Sequence, residues 1–388
     1  MELVEKIPLR LTTTETTWLL LGMSTYIATV NLLVQQKISG MYDNVKLSTA
    51  MFKASLPAAI KNQCIRDANS IVNKYKSNMR KYENKCKKHP NTKKKPPNVP
   101  VLKLPVYYVN SQNFKIEDDK ISFPMLVNGK SKRVLFRLAI TERQQKLLEG
   151  KKLGLLRITI KNGKLIACVQ YETEEFIRNS GNDKTMGIDI GLKCPIVSYD
   201  DNGRIRFYGN GRKNRYIRRK FFQQRRKLQR KKKYRTIKRM KHKEQRIMKD
   251  VNHKISRSII NEAVRQGVSV IKMEQLKNIR KKITRKTTRT SRKNNKRKNY
   301  VCKNNRFVNS WSFGQLQSFI AYKAKLAGIQ VVYVNPKNTS KECPVCHILN
   351  KAKDREYFCA CGFHKHRDVV GAMNICHSTK IVGNRQSA

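Results

Sequence analysis

The spacing of hydrophobic residues divides the chain into stretches with different predicted structures. Residues 16–36 carry no charge, and their apolar side chains recur at helical spacing. The stretch is long enough to cross a membrane, but polar residues such as Ser24, Asn31 and Gln35 interrupt it. We therefore predict a well-buried helix of a soluble protein and no membrane partner. Residues 47–86 carry an apolar stripe between lysines and arginines, which predicts further helix.

From residue 101 to residue 173 the hydrophobic period changes to two, which is typical of half-buried strands. Asn-Gly pairs at Asn128 and Asn162 separate neighbouring runs and predict hairpin turns. Several short antiparallel strands of this kind predict a small barrel. A short strand is also predicted over residues 7–11. The helices of the preceding stretch are therefore expected as an insertion between the first barrel strand and the others.

The C-terminal half contains both predicted strands and predicted helices. Apolar runs predict strands over residues 187–192, 196–199, 205–208, 268–274 and 329–334. Residues 211–250 contain 20 Lys or Arg against two acidic residues, which predicts a helical hairpin along nucleic acid. Residues 252–266 and 309–328 have the pattern of amphipathic helices, with Trp311 as an expected core anchor. Residues 275–307 contain 14 Lys or Arg and no acidic residue. They predict a low-complexity loop that contacts nucleic acid, covers a neighbouring site or has no specific role.

The charge balance indicates a polyanionic partner. The 388 residues include 85 Lys or Arg against 26 Asp or Glu, a formal net charge of +59. Charge of this size repels itself on a compact protein, and a nucleic acid neutralises it with release of counterions. A structured RNA with a DNA duplex would satisfy it better than a membrane surface. Four of the ten cysteines lie within residues 343–361, which indicates a metal site in a reducing cytoplasm rather than disulfides.

Three carboxylates occupy positions where a buried charge needs compensation. Asp189 lies in an apolar run with a glycine two residues away on each side, Glu274 ends a second apolar run, and Asp368 begins a predicted helix. Clustered carboxylates repel one another unless a cation neutralises them, and Mg²⁺ prefers such hard oxygen ligands. We therefore expect these three residues to hold two Mg²⁺ ions, with Mn²⁺ as an alternative, for in-line phosphoryl displacement. Asp200 and Asp201 are better explained by a turn.

The surrounding motifs resemble a known family. GIDIG at Asp189, IKMEQL at Glu274 and HRDVVGAMNI at Asp368, in this order, resemble the RuvC nuclease motifs of TnpB, which is related to the miniature type V CRISPR effectors. The resemblance is clear over residues 185–377 and looser before them. It implies an RNase H-like α/β RuvC domain, catalytic roles for the three carboxylates, a guide RNA and target double-stranded DNA. For the N-terminal half it implies a wedge-like barrel with a helical recognition part. The alternative there is an ordinary β-domain with a basic face.

A cysteine pattern precedes the third carboxylate. Cys343 and Cys346 form a regular knuckle, whereas Cys359 and Cys361 have one residue between them instead of two. Four thiolates can close a tetrahedral structural Zn²⁺ site and fold a short segment. The short spacing leaves a nearby histidine, His364 or His366, as an alternative to Cys359. We expect one zinc ion at this site, which would brace the loop that carries Asp368.

The predicted fold class is α+β multidomain, with an N-terminal β-barrel (wedge) and its helical insertion, then a C-terminal RNase H-like α/β RuvC domain with an inserted zinc ribbon. The predicted boundaries are 1–14 and 100–180 for the barrel, 15–99 for the insertion, 181–337 and 363–380 for the RuvC domain, 338–362 for the zinc ribbon, and 381–388 for a tail.

The expected function is that of a transposon-encoded, RNA-guided DNA endonuclease. The alternatives are a miniature type V CRISPR effector, a guide-dependent DNA-binding repressor without cleavage, and a transposase accessory. We expect the protein in the bacterial cytoplasm, associated with the nucleoid. The sequence leaves open whether it forms a homodimer.

Overall fold

The computed structural model of the protein describes residues 2–42, 45–88, 95–174, 184–240, 242–276 and 312–382. The chain divides into two compact units, Met1–Glu174 (unit 1) and Glu175–Ala388 (unit 2). The predictions made for Trp311, for the basic loop from residue 277 onward and for the tail from residue 383 onward lie outside the described residues.

The described residues of unit 1 form seven strands, three α-helices and a short 3-10 helix, Ser111–Asn113. The strands are β1 (Glu2–Arg10), β2 (Val106–Val109), β3 (Lys115–Glu117), β4 (Lys120–Val127), β5 (Lys130–Leu138), β6 (Leu153–Lys161) and β7 (Lys164–Glu172). The helices are α1 (Thr13–Ile38), α2 (Ala58–Lys88) and α3 (Glu142–Leu148). The strands form one antiparallel sheet in the order β2-β6-β7-β1-β5-β4-β3. Since α1 and α2 follow β1 in the chain, the helices are inserted after the first strand, as the hydrophobic pattern predicts.

The sheet of unit 1 is a half-barrel. Among the described residues its two edge strands, β2 and β3, do not pair with each other. Both predicted hairpin turns are confirmed: Asn128 and Gly129 join β4 to β5 with φ angles of 51° and 74°. Asn162 and Gly163 join β6 to β7 with φ angles of 51° and 77°. Positive φ at both central residues matches the twist of the flanking strands.

Helix α1 is long and apolar enough to cross a membrane by length and composition alone. It begins at a capping box, in which the Thr12 and Glu15 side chains each accept a hydrogen bond from the other's backbone N–H. One face, including Leu19 and Met23, is buried in the core of unit 1. Tyr26 of that face donates to Asp67 of α2 at 2.7 Å. This packing supports the prediction that α1 is a core helix without a membrane partner, which stays a prediction.

The helix predicted from residue 47 begins later. Residues 47–57 are not helical, and α2 begins at Ala58. Pro57 explains this boundary, because proline has no N–H and fixes the φ angle that a first helical turn needs. Apolar side chains of the irregular segment are nevertheless buried in the same core, namely Leu47, Phe52 and Leu56. The hydrophobic pattern therefore indicated burial correctly and helix wrongly.

The described residues of unit 2 form a five-stranded sheet, a two-stranded hairpin and five α-helices. The sheet strands are β8 (Thr185–Asp189), β9 (Ile196–Asp200), β10 (Ile205–Tyr208), β11 (Val270–Glu274) and β12 (Gln330–Val334). The hairpin is β13 (Glu356–Phe358) and β14 (His364–His366). The helices are α4 (Gly211–Arg230), α5 (Tyr234–Met240), α6 (Lys243–Arg265), α7 (Phe313–Leu326) and α8 (Arg367–His377). The sheet order is β10-β9-β8-β11-β12, with β8, β11 and β12 parallel and β9 and β10 antiparallel to their neighbours.

The basic segment of unit 2 differs from the prediction at its end. α4 forms the expected first arm, but α6 runs without a break from Lys243 to Arg265. The predicted boundary between residues 250 and 252 is therefore wrong. The buried residues Met248, Asn252 and Ile255 explain the continuity, since they keep helical spacing across that point.

Candidate active site and cysteine cluster

Two of the predicted carboxylates end neighbouring strands. Asp189 is the last residue of β8 and Glu274 is the last residue of β11. β8 and β11 are parallel, and Ile188 is in register with Met273. Asp189 follows Ile188 and Glu274 follows Met273. The two carboxylates therefore lie next to each other at the carboxyl end of the sheet.

The third carboxylate comes from α8, which packs directly on β8. A Cβ built on Gly187 would lie 2.2 Å from the Ala372 carbonyl oxygen and 2.4 Å from the Cys376 backbone nitrogen. Only glycine permits this approach of strand and helix. A Cβ built on Gly371 would lie 3.1 Å from Asp189 Oδ2, so α8 also borders the Asp189 carboxylate. Asp368 lies in the first turn of α8, where the positive end of the helix dipole favours a negative charge.

The electrostatics of Asp189 are those of a crowded carboxylate. Burial, followed by the negative charges of Glu274 and Asp368, raises the pKa of Asp189 to about 8. Its side chain nevertheless keeps part of its surface open to solvent. A partly exposed carboxylate is accessible to a cation that would stabilise its charged form.

Glu274 has a polar neighbour that partly offsets its burial. Burial raises the pKa of Glu274, and a hydrogen bond from the Thr339 hydroxyl to Oε1 opposes the shift. The Gln317 amide donates to the Glu274 backbone carbonyl at 2.7 Å, which fixes the end of β11. The remaining carboxylate oxygen, Oε2, is the one that Thr339 leaves for another ligand.

Asp368 is held by an arginine that the sequence did not indicate. Nη1 of Arg355 lies 2.6 Å from Oδ1 and 2.7 Å from Oδ2 of the Asp368 carboxylate, and Asp368 is 7% exposed. Arg355 belongs to the segment between the two cysteine pairs. Within the described residues, Asp189, Glu274 and Asp368 do not form a group whose donor atoms all lie within 4.8 Å of one another. The Arg355 guanidinium thus compensates the charge of the Asp368 carboxylate, which is the role that the sequence predicts for a metal ion.

The two spare aspartates have other partners. Asp200 Oδ1 accepts hydrogen bonds from the backbone N–H groups of Asn202 and Arg204, at 3.1 and 3.0 Å. Asp201 Oδ2 accepts from the Thr185 N–H at 2.6 Å. The turn explanation is confirmed for Asp200. Asp201 lies in the same turn, but its side chain bonds the start of β8 and not the turn itself.

The four predicted cysteines come together in space. The sulfur atoms of Cys343, Cys346, Cys359 and Cys361 all lie within 4.8 Å of one another. Cys343 Sγ is 3.7 Å from Cys361 Sγ, and Cys346 Sγ is 3.3 Å from Cys359 Sγ. A tetrahedral zinc ion with Zn–S bonds of 2.3 Å separates its sulfur ligands by about 3.8 Å. The donor set therefore fits a zinc ion. The Cys361 N–H, with hydrogen bonds within the cluster, lowers the pKa of the Cys359 thiol to about 7, whereas the pKa values of the Cys346 and Cys361 thiols are raised.

The two alternative histidine ligands are engaged elsewhere. The His364 ring stacks on Phe358 at 4.1 Å, and its Nε2 lies 2.6 Å from Glu356 Oε2. His366 is the N-cap of α8, and its Nδ1 accepts from the Asp368 N–H at 3.3 Å. The hairpin β13–β14 thus ends at the residue that caps the helix of the third carboxylate.

Sequence reasoning found the carboxylates and cysteines because each belongs to a motif with fixed spacing. Arg355 belongs to no motif with a chemical signature. Thr339, with Ser340, matches the family's usual lead-in to the cysteine pairs, but this match does not indicate its contact with Glu274. Only the fold brings the two side chains to the carboxylates.

Two family profiles match the chain. The profile described as "Cas12f1-like, TNB domain" matches residues 313–375, and the one described as "Probable transposase" (OrfB_IS605) matches residues 168–280. A CRISPR-associated endodeoxyribonuclease Cas12f1 of Sulfoacidibacillus thermotolerans is 26% identical over 66% of this chain and 58% of its own length.

Solved structures share the fold. A Cas12f1–sgRNA–target DNA complex has a TM-score of 0.63 at 16% identity and covers 95% of this chain and 82% of its own. The mini-RNA-guided endonuclease CRISPR-Cas phi3 has a TM-score of 0.50 at 10% identity, over 97% of this chain and 92% of its own.

One relative is close enough to assign the family. A TnpB-like protein of Methanocaldococcus jannaschii is 32% identical over 292 residues, which cover 71% of this chain and 96% of that protein. The predicted resemblance is thereby confirmed, and the chain belongs to the TnpB family, to which the miniature type V effectors are related.

Proposed function

We propose that the protein is a transposon-encoded, RNA-guided DNA endonuclease that hydrolyses DNA phosphodiesters at a RuvC-type site. The observation that carries this proposal is the position of the three carboxylates. Asp189 and Glu274 end adjacent parallel strands, and Asp368 begins the helix that packs on the first of them. The relatives named as endodeoxyribonucleases and the guide–target complexes of the shared fold support the same activity.

The carboxylates are the residues that would hold catalytic Mg²⁺, with Mn²⁺ as a substitute. Bound divalent metal supplies an activated water and stabilises the leaving oxyanion of a phosphodiester. The chain's own part is to bring the charges together and keep them compensated. Asp189 has to lose its proton when metal binds, because burial and its neighbours hold its pKa at about 8 without metal. In this proposal Asp368 exchanges the Arg355 guanidinium for the metal.

The basic helices are the proposed contact with guide RNA and target DNA. α4 has no acidic residue, and Glu244 of α6 lies 2.6 Å from Arg225 and thus joins the two helices. The formal net charge of +59 needs such a polyanion. In this proposal base pairing to the guide selects the target, and the protein binds backbone and shape.

The cysteine cluster is the proposed site of one structural Zn²⁺, with Cys343, Cys346, Cys359 and Cys361 as ligands. Four thiolates leave no open position, so the ion would fold the segment and take no part in hydrolysis. Since the segment carries Arg355 and leads into α8, its folding would determine the position of Asp368.

The domain layout and localisation follow from the same proposal. Residues 1–14 and 100–180 would form the wedge, residues 15–99 the recognition insertion, and residues 181–337 with 363–380 the RuvC domain around the zinc ribbon 338–362. The half-barrel sheet and the two-unit division support this layout. A guide-dependent nuclease of this kind would act in the cytoplasm, where the nucleoid lies.

The test begins with protein purified from cells that carry its native flanking DNA. The co-purifying RNA is sequenced, and a duplex that matches its variable end is offered with Mg²⁺ to the wild type and to Asp189→Ala. The proposal expects one defined RNA and metal-dependent cutting that the substitution abolishes. A defined RNA with tight binding but no cutting by the wild type would indicate a guide-dependent repressor. Absence of a specific RNA would refute guided recognition.

A further inference from the structure

A second group of metal-ligating side chains lies at the opposite end of α8 from Asp368. It consists of Asp201 in the turn after β9 and of Cys376 and His377 in the last turn of α8. One donor atom of each residue lies within 4.8 Å of the other two. Eight residues separate Cys376 from Asp368 on the helix, or about 12 Å at 1.5 Å per residue. The group is therefore distinct from the carboxylate site and from the cysteine cluster.

We propose that Asp201, Cys376 and His377 bind a second divalent transition-metal ion of the zinc class, which fastens the C-terminal end of α8 to the β9–β10 hairpin. The site does not depend on the nuclease proposal. The donors are a carboxylate oxygen, a sulfur and an imidazole nitrogen, a mixed set that suits Zn²⁺ and excludes Mg²⁺, which rarely takes sulfur.

The geometry of the three donors suits this ion. Cys376 Sγ lies 3.3 Å from Asp201 Oδ1. In a tetrahedral zinc site, bonds of 2.3 Å to sulfur and about 2.0 Å to oxygen separate the two ligands by about 3.5 Å. The His377 ring stands edge-on to Tyr199 with the ring centroids 5.8 Å apart, so a β9 side chain orients it beside the other two donors.

The surroundings hold two of the donors in place. Asp201 is fixed by the Thr185 N–H on Oδ2, which leaves Oδ1 on the side of the sulfur. Cys376 is 1% exposed and packs against the first residue of β8, where its sulfur lies 3.5 Å from the Thr185 carbonyl oxygen. His377 and Asp201 are exposed, so an ion and a water as fourth ligand can reach the group.

The charge balance at this end of α8 is compatible with a second cation. The last carbonyl groups of a helix carry partial negative charge. Lys272 already partly neutralises this negative charge, because its ammonium donates to the backbone oxygens of Cys376 at 2.8 Å and of Ser378 at 3.1 Å. A thiolate and a carboxylate together neutralise the two charges of the metal, so a second cation is tolerated beside Lys272.

Cobalt titration tests the site, because a Co²⁺–thiolate bond gives a sulfur-to-cobalt charge-transfer band that oxygen ligands do not give. The full-length protein is first loaded with one equivalent of Zn²⁺, which fills the four-thiolate cluster, and Co²⁺ is then added. We expect the wild type to show a charge-transfer band of one thiolate. Cys376→Ser should lose the band, and His377→Ala should weaken Co²⁺ binding by at least about tenfold.

Two substitutions control for general effects. Cys168→Ser removes another buried thiol, in β7, and His242→Ala removes another exposed imidazole, at the start of α6. Both should keep the band of the wild type. No band in zinc-loaded wild type, or an unchanged band in Cys376→Ser, would overturn the proposal. His377→Ala keeps the test interpretable even where Cys376→Ser disturbs packing, because the His377 side chain is exposed.

Discussion

The substitution Asp189→Asn should stabilise unit 2 of the metal-free protein, and the gain should grow as the pH rises. Burial, Glu274 and Asp368 raise the pKa of Asp189 from 3.8 to about 8. Between these two values the folded state keeps a proton that the unfolded state has lost. Stability therefore falls as the pH increases towards the folded-state pKa. Asparagine fills nearly the same volume and does not titrate.

The magnitude follows from the raised pKa. Between pH 5.5 and pH 8 the wild type gives up stability over about 2.5 pH units, at about 1.4 kcal/mol per unit. The stability difference between Asp189→Asn and wild type should thus increase by about 3 kcal/mol over this range. Saturating Mg²⁺ should reverse the order, because a ligand that binds only the folded wild type stabilises it by mass action.

Hydrogen exchange measures this difference at the site itself. The protection of amides in β8 and β11 is compared between the two proteins at the same pH, so that intrinsic exchange rates cancel. The buffer contains EDTA to remove Mg²⁺, and zinc is retained by the cysteine cluster. Asp118→Asn is the matched control, since Asp118 is an exposed turn residue at a φ of 49°, which asparagine also adopts. The reasoning is refuted if protection in Asp189→Asn equals that of wild type at pH 8, or if the difference shrinks as the pH rises.

Three further substitutions test the contacts around the carboxylates. Thr339→Val removes the hydroxyl that donates to Glu274, and it should lower the affinity for Mn²⁺ by about fivefold, or roughly 1 kcal/mol. The affinity is measured by electron paramagnetic resonance, and an unchanged value would exclude a role of Thr339 in positioning Glu274. Arg355→Ala frees Asp368 and should tighten Mn²⁺ binding by up to about tenfold, whereas weaker binding would show that the arginine assists the metal. Cys359→Ala removes one sulfur of the cluster and should lower the zinc retained after dialysis against a chelator, while full retention would point to a histidine ligand.

The strands and the motif residues were predictable from the sequence because their signals are local. Alternation of apolar residues and the Asn-Gly pairs predicted β4 to β7, and the apolar run before Asp189 predicted β8. Where a signal depended on tertiary context, prediction failed. The segment before Pro57 is apolar because it is buried, although it is not helical.

The partners of the carboxylates were not predictable in the same way. Arg355 and Asp368 are 13 residues apart and have no shared motif, and the hydrogen bonds between them exist only because the β13–β14 hairpin returns the chain to α8. The group of Asp201, Cys376 and His377 is a similar case. Asp201 and Cys376 are 175 residues apart, and the close approach of Gly187 to α8 brings them together.

The most direct test of the nuclease site is single-turnover cleavage of a guide-matched DNA duplex by the protein–RNA complex. The compared proteins are the wild type, three site variants (Asp189→Asn, Glu274→Gln and Asp368→Asn) and the control Asp250→Asn. Asp250 is an exposed residue of α6, and among the ion pairs of the described residues its carboxylate pairs only with Lys254. We expect the three site variants to bind the duplex but to cut at background, and the control to cut as the wild type does in Mg²⁺ and not in EDTA. Cutting at the wild-type rate by any one of the three, or cutting without divalent metal, would contradict the proposed site.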